Sequence, residues 1–251
     1  MDSAPHSLVV GGTRGIGRAF VRHLAQTGGK VSVIGRREVT ESFGANVRFW
    51  RVDLLAEKKL ASALAEIVRA QGKLDNLVCF QRSKGEGKRW VEEIATTLTA
   101  TKQIVDALTE HFNKSGSIVL ISSAAANLVC DEQPAGYHVA KAGINQLARY
   151  YAATLGPRGI RVNTVSPGTV IKDENREYYQ KQRRKLAAFT RNIPLRRMGT
   201  AEEIAGVVAF LCSPAAGFIT GQNLLVDGGI SLLSQETLLQ KLPRCPPPIY
   251  I

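Results

Sequence analysis

The chain has 251 residues, 44% of them hydrophobic, which suits a single α/β domain with a sizeable core. Its 33 Lys and Arg against 21 Asp and Glu give a net charge of +12; no apolar run approaches the ~18 residues of a membrane span, and the first residues lack the basic-then-apolar order of a secretory signal. Four scattered cysteines (Cys79, Cys130, Cys212, Cys245) show no C-x-x-C or metal-ligand spacing, so they read as reduced thiols of a cytoplasmic protein without a metal site.

Ser7-Leu8-Val9-Val10 reads as a short buried strand. Gly11-Gly12-Thr13-Arg14-Gly15-Ile16-Gly17 follows at once, and Ile16, Phe20, Val21 and Leu24 then fall at helical spacing. A strand, a glycine turn and a helix start form the context of a phosphate-binding loop. Glycines let the backbone approach a pyrophosphate, and free N–H groups at the helix N-terminus face its charge. Residues 30–34 and 46–52 are strand-like, and Leu60, Leu64, Ile67 and Val68 mark an amphipathic helix after Asp53. Residues 74–80 read as a strand, and Val91, Ile94, Leu98, Thr101, Val105, Leu108 and Phe112 predict one long helix. A buried strand over 117–121 runs into Ser122-Ser123, followed by a helix over 137–155 and a strand over 160–165. Ile204, Val207, Val208 and Leu211 mark another helix, and 224–226 a last strand. This alternation predicts a doubly wound, Rossmann-like parallel sheet of about seven strands with helices on both faces, in one domain over 1–251.

Tyr137 and Lys141 stand four apart in Tyr-His-Val-Ala-Lys, which puts them on one helix face. An ammonium beside a phenol favours the phenolate and makes a tyrosine usable as a general acid or base. The serine pair Ser122-Ser123, 14 to 15 residues upstream of the tyrosine, offers a hydroxyl that could hydrogen-bond the same oxygen.

Taken with Ile160-Arg161-Val162-Asn163, Pro167-Gly168 and Ile219-Thr220-Gly221-Gln222 through Asp227-Gly228-Gly229, these motifs resemble the classical short-chain dehydrogenases/reductases, in the family's order over nearly the whole chain. The resemblance implies hydride transfer between a nicotinamide and a carbonyl or secondary alcohol. It assigns Tyr137 as proton donor, Lys141 as the group that supports it and holds the nicotinamide ribose, and Ser123 as the group that polarises the substrate oxygen. Cofactor contacts fall on Gly11, Thr13, Arg14, Gly15, Ile16 and Gly17, on Asp53 and Leu54 for the adenine, on Cys79 and Phe80, and on Pro167, Gly168 and Val170. Asp53 reads equally well as a helix N-cap.

The second strand ends Ile34-Gly35-Arg36-Arg37, with no carboxylate where an NAD-selective site holds the ribose 2′-OH. Guanidinium suits a phosphate dianion, so NADP(H) is expected, with Arg36 as primary contact and Arg14 or Arg37 as second. Glu38 is expected to point away.

The chain departs from the family where Cys79-Phe80-Gln81-Arg82 replaces Asn-Asn-Ala-Gly, where Thr97-Leu98 replaces Asn-Leu, and where Lys172 replaces a threonine near the cofactor amide. Bulky Phe80 and Arg82 imply an altered wall of the site, and the missing asparagine an altered proton relay. An enzyme is expected; the alternative is a regulatory NADP(H)-binding protein with little turnover.

Nine of the twelve excess positive charges sit in residues 82–89 and 172–197. They read either as a solvated face or as a field that attracts an anionic substrate, ahead of nucleic acid or membrane. The segment 172–200 is the substrate-covering lid of the family. A sugar or nucleotide-sugar leads over a 3-oxoacyl thioester. The family also implies a homotetramer or homodimer built on the two long helices, with the apolar tail 231–251 packing on a neighbour or fraying.

Overall fold

The computed structural model describes residues 4–39, 41–83 and 89–240. Its first half runs β1 (His6–Val10), α1 (Gly15–Ala25), β2 (Lys30–Gly35), β3 (Val47–Arg51), α2 (Glu57–Gln71) and β4 (Leu74–Cys79). Next come α3 (Arg89–Glu93), a π-helical turn over Ile94–Thr99, α4 (Ala100–Leu108), β5 (Phe112–Ile121) and α5 (Ala135–Leu155). The chain continues with β6 (Arg161–Pro167), β7 (Val170–Ile171), α6 (Asp173–Lys181) and α7 (Arg183–Asn192). It ends with β8 (Gly199–Thr200), α8 (Ala201–Cys212), β9 (Asn223–Val226) and α9 (Gln235–Gln240). No helix among the described residues is long and apolar enough to cross a membrane.

Seven strands form one parallel sheet in the order β3-β2-β1-β4-β5-β6-β9, and β7 pairs with β8 in a small second ribbon. The strands are apolar on both faces because helices cover both. Side-chain alternation divides the core in two. Leu8, Val10, Leu77, Ile118 and Leu120 face α2, α4 and α5, where they meet Ile67, Ile104 and Ile144. Val9, Val33, Val78, Val119 and Val165 face α1 and α8, where they meet Phe20, Val21, Ile204 and Val208.

The strand order reverses between β1 and β4, and the crevice beyond their carboxyl ends is where such sheets bind ligands. Two glycines keep it open. Gly11 turns the chain at φ +79°, and a Cβ there would lie 2.8 Å from Gln81 N; a Cβ on Gly17 would lie 2.4 Å from Gly11 O.

The long helix expected from Val91 to Phe112 is interrupted. Its middle widens into the π turn, where Ala100 N–H reaches back to Ala95 O, and Phe112 already belongs to β5. The apolar spacing that predicts the helix is nearly blind to one extra residue in a turn. Polar side chains line the turn: Thr101 donates to Thr97 O at 2.6 Å, and Thr97 donates to Glu93 at 2.6 Å.

Candidate active site

α5 delivers Tyr137 and Lys141 to the crevice one turn apart. The Lys141 side chain is only 3% exposed, and its Nζ donates to Ile121 O at the end of β5 at 2.7 Å. Burial pulls the ammonium down to about 8; the Glu93 carboxylate works against that shift, while Arg82 and Lys172 add to it. The half-buried Tyr137 ring has the Lys141 ammonium 5.7 Å from its centroid and the Arg82 guanidinium at 4.8 Å. Arg82 also reaches Gln133 Oε1 at 3.4 Å.

The two serines separate clearly. Ser122 is buried and donates to Lys141 O at 3.0 Å, which ties β5 to α5. Ser123 borders the cleft, where its Oγ accepts from Ala125 N and keeps its own proton for another acceptor.

From this corner a cleft of about 440 Å³ runs along the sheet edge to the glycine loop and the end of β2. Gly11, Thr13, Arg14, Gly15, Ile16 and Gly17 line one end, with Arg36 and Arg37, Asp53 and Leu54 beyond. Phe80, Pro167, Gly168 and Val170 line the other. Asp53 accepts from Leu55 N at 3.1 Å, so it closes the turn before α2 rather than capping the helix, whose N-cap is Ala56. Glu38 borders a neighbouring hollow with Arg37, not this cleft.

Cys79 does not reach the cleft. Alternation along β4 puts it in the core with Leu77, and burial pushes its thiol up to about 12. Phe80 does not fill the cleft either: its ring turns onto Phe20 of α1, with centroids 5.6 Å apart. Thr97 is buried with its hydroxyl proton given to Glu93.

The glycine loop already holds an anion. Glu174, in the first turn of α6, accepts from Gly15 N at 3.0 Å and lies 3.5 Å from Arg14 and 3.4 Å from Arg18. Asp173 pairs with Arg18 at 2.8 Å and Arg22 at 3.4 Å. Burial alone would raise the Glu174 carboxyl, but the Gly15 N–H bond and the two guanidinium charges bring it below its ordinary value. A carboxylate oxygen on Gly15 N therefore stands where a pyrophosphate oxygen would be held. The residues present fit a dinucleotide: an anion-binding amide, a glycine-cleared floor and a long cleft. Sequence reasoning missed Glu174, because its partner Gly15 lies 159 residues away.

A family model described as enoyl-(acyl carrier protein) reductase matches residues 10–231. The 3-oxoacyl-[acyl-carrier-protein] reductase of Escherichia coli is 33% identical over 90% of this chain and 97% of its own length. The L-rhamnose 1-dehydrogenase (NAD(P)(+)) of Azotobacter vinelandii is 33% identical over 89% of this chain and 95% of its own. The fold matches that of the ligand-free aldohexose dehydrogenase of Thermoplasma acidophilum with a TM-score of 0.84 at 24% identity, over 93% of this chain and 96% of that one. With its doubly wound sheet, glycine loop and Tyr137/Lys141 corner, the chain belongs to the short-chain dehydrogenase/reductase family, oxidoreductases that use a nicotinamide cofactor on CH–OH and C=O groups.

Proposed function

We propose that the chain is an NADP(H)-dependent oxidoreductase for a small anionic carbonyl or secondary-alcohol substrate, with Tyr137 as general acid and base. The observation that carries this reading is the pair of cations at the Tyr137 ring, Lys141 from within the protein and Arg82 from the cleft side.

When bound, the cofactor supplies the hydride for reduction or takes it up in oxidation. Tyr137 gives its proton to the substrate oxygen as charge develops there, and the Lys141 ammonium stabilises the phenolate left behind. Ser123 donates to the same oxygen. Gly11, Thr13, Gly15, Ile16 and Gly17 hold the pyrophosphate, Arg36 and Arg37 the 2′-phosphate, and Asp53 and Leu54 the adenine side. Phe80, Pro167, Gly168 and Val170 bound the nicotinamide half. Cys79 has no direct contact to offer.

Residues 172–200, with α6 and α7, are the cover over the substrate. A mobile cover fits the way α6 is docked, through ion pairs rather than an apolar face. Glu174 must leave Gly15 N before a pyrophosphate can take that amide. Glu174→Gln is therefore expected to tighten NADPH binding about 5- to 10-fold, the equivalent of about 1 kcal/mol of charge-assisted bonding no longer broken. Fluorescence titration checks this, and unchanged affinity would mean the carboxylate does not compete.

The oligomer is a homotetramer or homodimer built on α3, α4 and α5. Support comes from Trp90 and Val91 on α3 and Val139 and Tyr150 on α5, apolar or aromatic side chains that are exposed. The tail beyond residue 240 lies outside the described residues.

For the substrate, Arg82 supplies a cation over the Tyr137 ring on the cleft side, available to a carboxylate or phosphate near the reacting carbon. An acidic or nucleotide-linked sugar leads, and a 3-oxoacyl thioester follows. The relatives named for L-rhamnose and for 3-oxoacyl thioesters span both classes. The test is a comparison of an acidic sugar with its neutral amide. Arg82→Met is expected to raise KM for the acid about 10- to 100-fold, the worth of a hydrogen bond to a charged group, and to leave the amide nearly unchanged. Equal losses on both would remove the anion-recognition part of the proposal.

A further inference from the structure

Glu93 is a buried acid for which the proton chemistry above has no use. It is 4% exposed, at the end of α3, and α3 packs on α5, the helix of Tyr137 and Lys141. Its Oε1 accepts from Thr97 at 2.6 Å inside the π turn. Thr101, on the next turn, donates to Thr97 O at 2.6 Å and accepts from Gln81 Nε2 at 2.7 Å. Gln81 follows β4 into the cleft wall. So a file of four buried polar side chains runs from the cleft wall to Glu93. π turns of this kind often stand at functional sites, because the widened turn aims side chains that a regular helix would not.

A carboxylate taken out of water this far is costly unless a cation offsets it. Lys141, on the helix that α3 packs against, is the buried cation that feels its charge, and no direct ion pair joins Lys141 to an acid among the described residues. Around Lys141 the charges are unequal. Arg82 from the loop after β4 and Lys172 from the end of β7 repel its ammonium, Tyr137 is its neighbour on α5, and Cys79 on β4 is a buried thiol. Glu93 is the carboxylate that opposes the two cations. In a water-poor interior such a charge acts across several ångströms.

We propose that Glu93, oriented by Thr97 within the π turn, is a positioning residue that keeps buried Lys141 protonated. Glu93 touches neither substrate nor cofactor; it acts through Lys141. Arg82 and Lys172 strengthen the cleft's attraction for anions but also work against the Lys141 ammonium, and Glu93 offsets them. The inference rests on the reading of Tyr137 and Lys141 as the proton-handling pair.

The test reads Lys141 directly. Lysine-labelled protein is titrated by NMR, with Lys141 assigned from the signal lost in Lys141→Met. In Glu93→Gln the Lys141 midpoint is expected to fall by about one pH unit relative to wild type, the low end of the effect of a nearby opposite charge. Glu93→Asp keeps the carboxylate and is expected to recover most of the shift; Thr97→Val, which leaves the acid but frees it, is expected to lower the midpoint by less. A purely structural role would cut thermal stability in Glu93→Gln and Thr97→Val without moving the midpoint. An unmoved or raised midpoint in Glu93→Gln overturns the inference; should that variant not fold, an unmoved midpoint in Thr97→Val does so. If the midpoint moves as expected while Tyr137→Phe keeps full turnover, the proton-handling reading fails and the Glu93–Lys141 coupling stands.

Discussion

Tyr137→Phe is expected to lower kcat about 10²- to 10⁴-fold, the range of positioned general acid-base catalysis, with cofactor affinity and melting temperature essentially unchanged. The half-buried ring keeps its neighbours without the hydroxyl, because Arg82 and Lys141 approach its face rather than the oxygen alone. The loss therefore falls on the proton and not on the packing. It is read with the ketone that the wild type reduces fastest, in single turnover, so that slow product release cannot mask it. A variant that keeps turnover within a few-fold would move the proton to another donor, and Ser123 would be the first to examine. The companion pH dependence follows from Lys141. Burial pulls its ammonium down to about 8, so it is charged below that pH and neutral above it. kcat/KM for the cofactor, which follows the free enzyme, should then fall as pH rises through about 8.

What the sequence made legible was local. The glycine loop with its strand and helix, the Tyr137/Lys141 spacing and the seven alternating strands each depend on a few consecutive residues. The structure arranges them in the expected order. What stayed hidden depends on partners far apart in the chain. No pattern near residue 174 says that its carboxylate will lie on Gly15 N. The size of Phe80 implied an altered wall of the site, but side-chain volume says nothing of direction, and only the structure shows the ring turned onto Phe20. Cys79 was legible and misread: alternation with Leu77 already placed it on the core face of β4. The π turn escaped because an apolar stripe survives one extra residue, while the polar residues that line the turn (Glu93, Thr97, Thr101) look like an ordinary helix surface in sequence. Thr97 was singled out as a substitute for an amide, but its donor is spent on Glu93, which only the fold brings into view.

Cofactor choice carries the other large effect. Arg36 and Arg37 follow β2, exposed on the cleft, and neither forms an ion pair among the described residues. Arg14 differs, since Glu174 lies beside it. That makes Arg36 the guanidinium most ready for a 2′-phosphate, with Arg37 shared between this cleft and the hollow that holds Glu38. Arg36→Glu removes an attraction worth about 1.5–3 kcal/mol and adds a repulsion, so NADPH binding should weaken about 10²- to 10³-fold. NADH, which offers a 2′-hydroxyl to the new carboxylate, should bind as well as before or better. Calorimetry with both cofactors separates the outcomes, because a disturbed loop would weaken the two alike whereas a lost phosphate contact weakens one. Salt sharpens the test: the wild-type preference for NADPH should shrink as ionic strength rises, since an exposed guanidinium is screened, and the variant's discrimination against NADPH should shrink too, since its repulsion is screened in the same way. A wild type that binds both cofactors equally, and a variant that leaves the ratio where it was, would place the phosphate elsewhere and return Arg36 to the solvated surface.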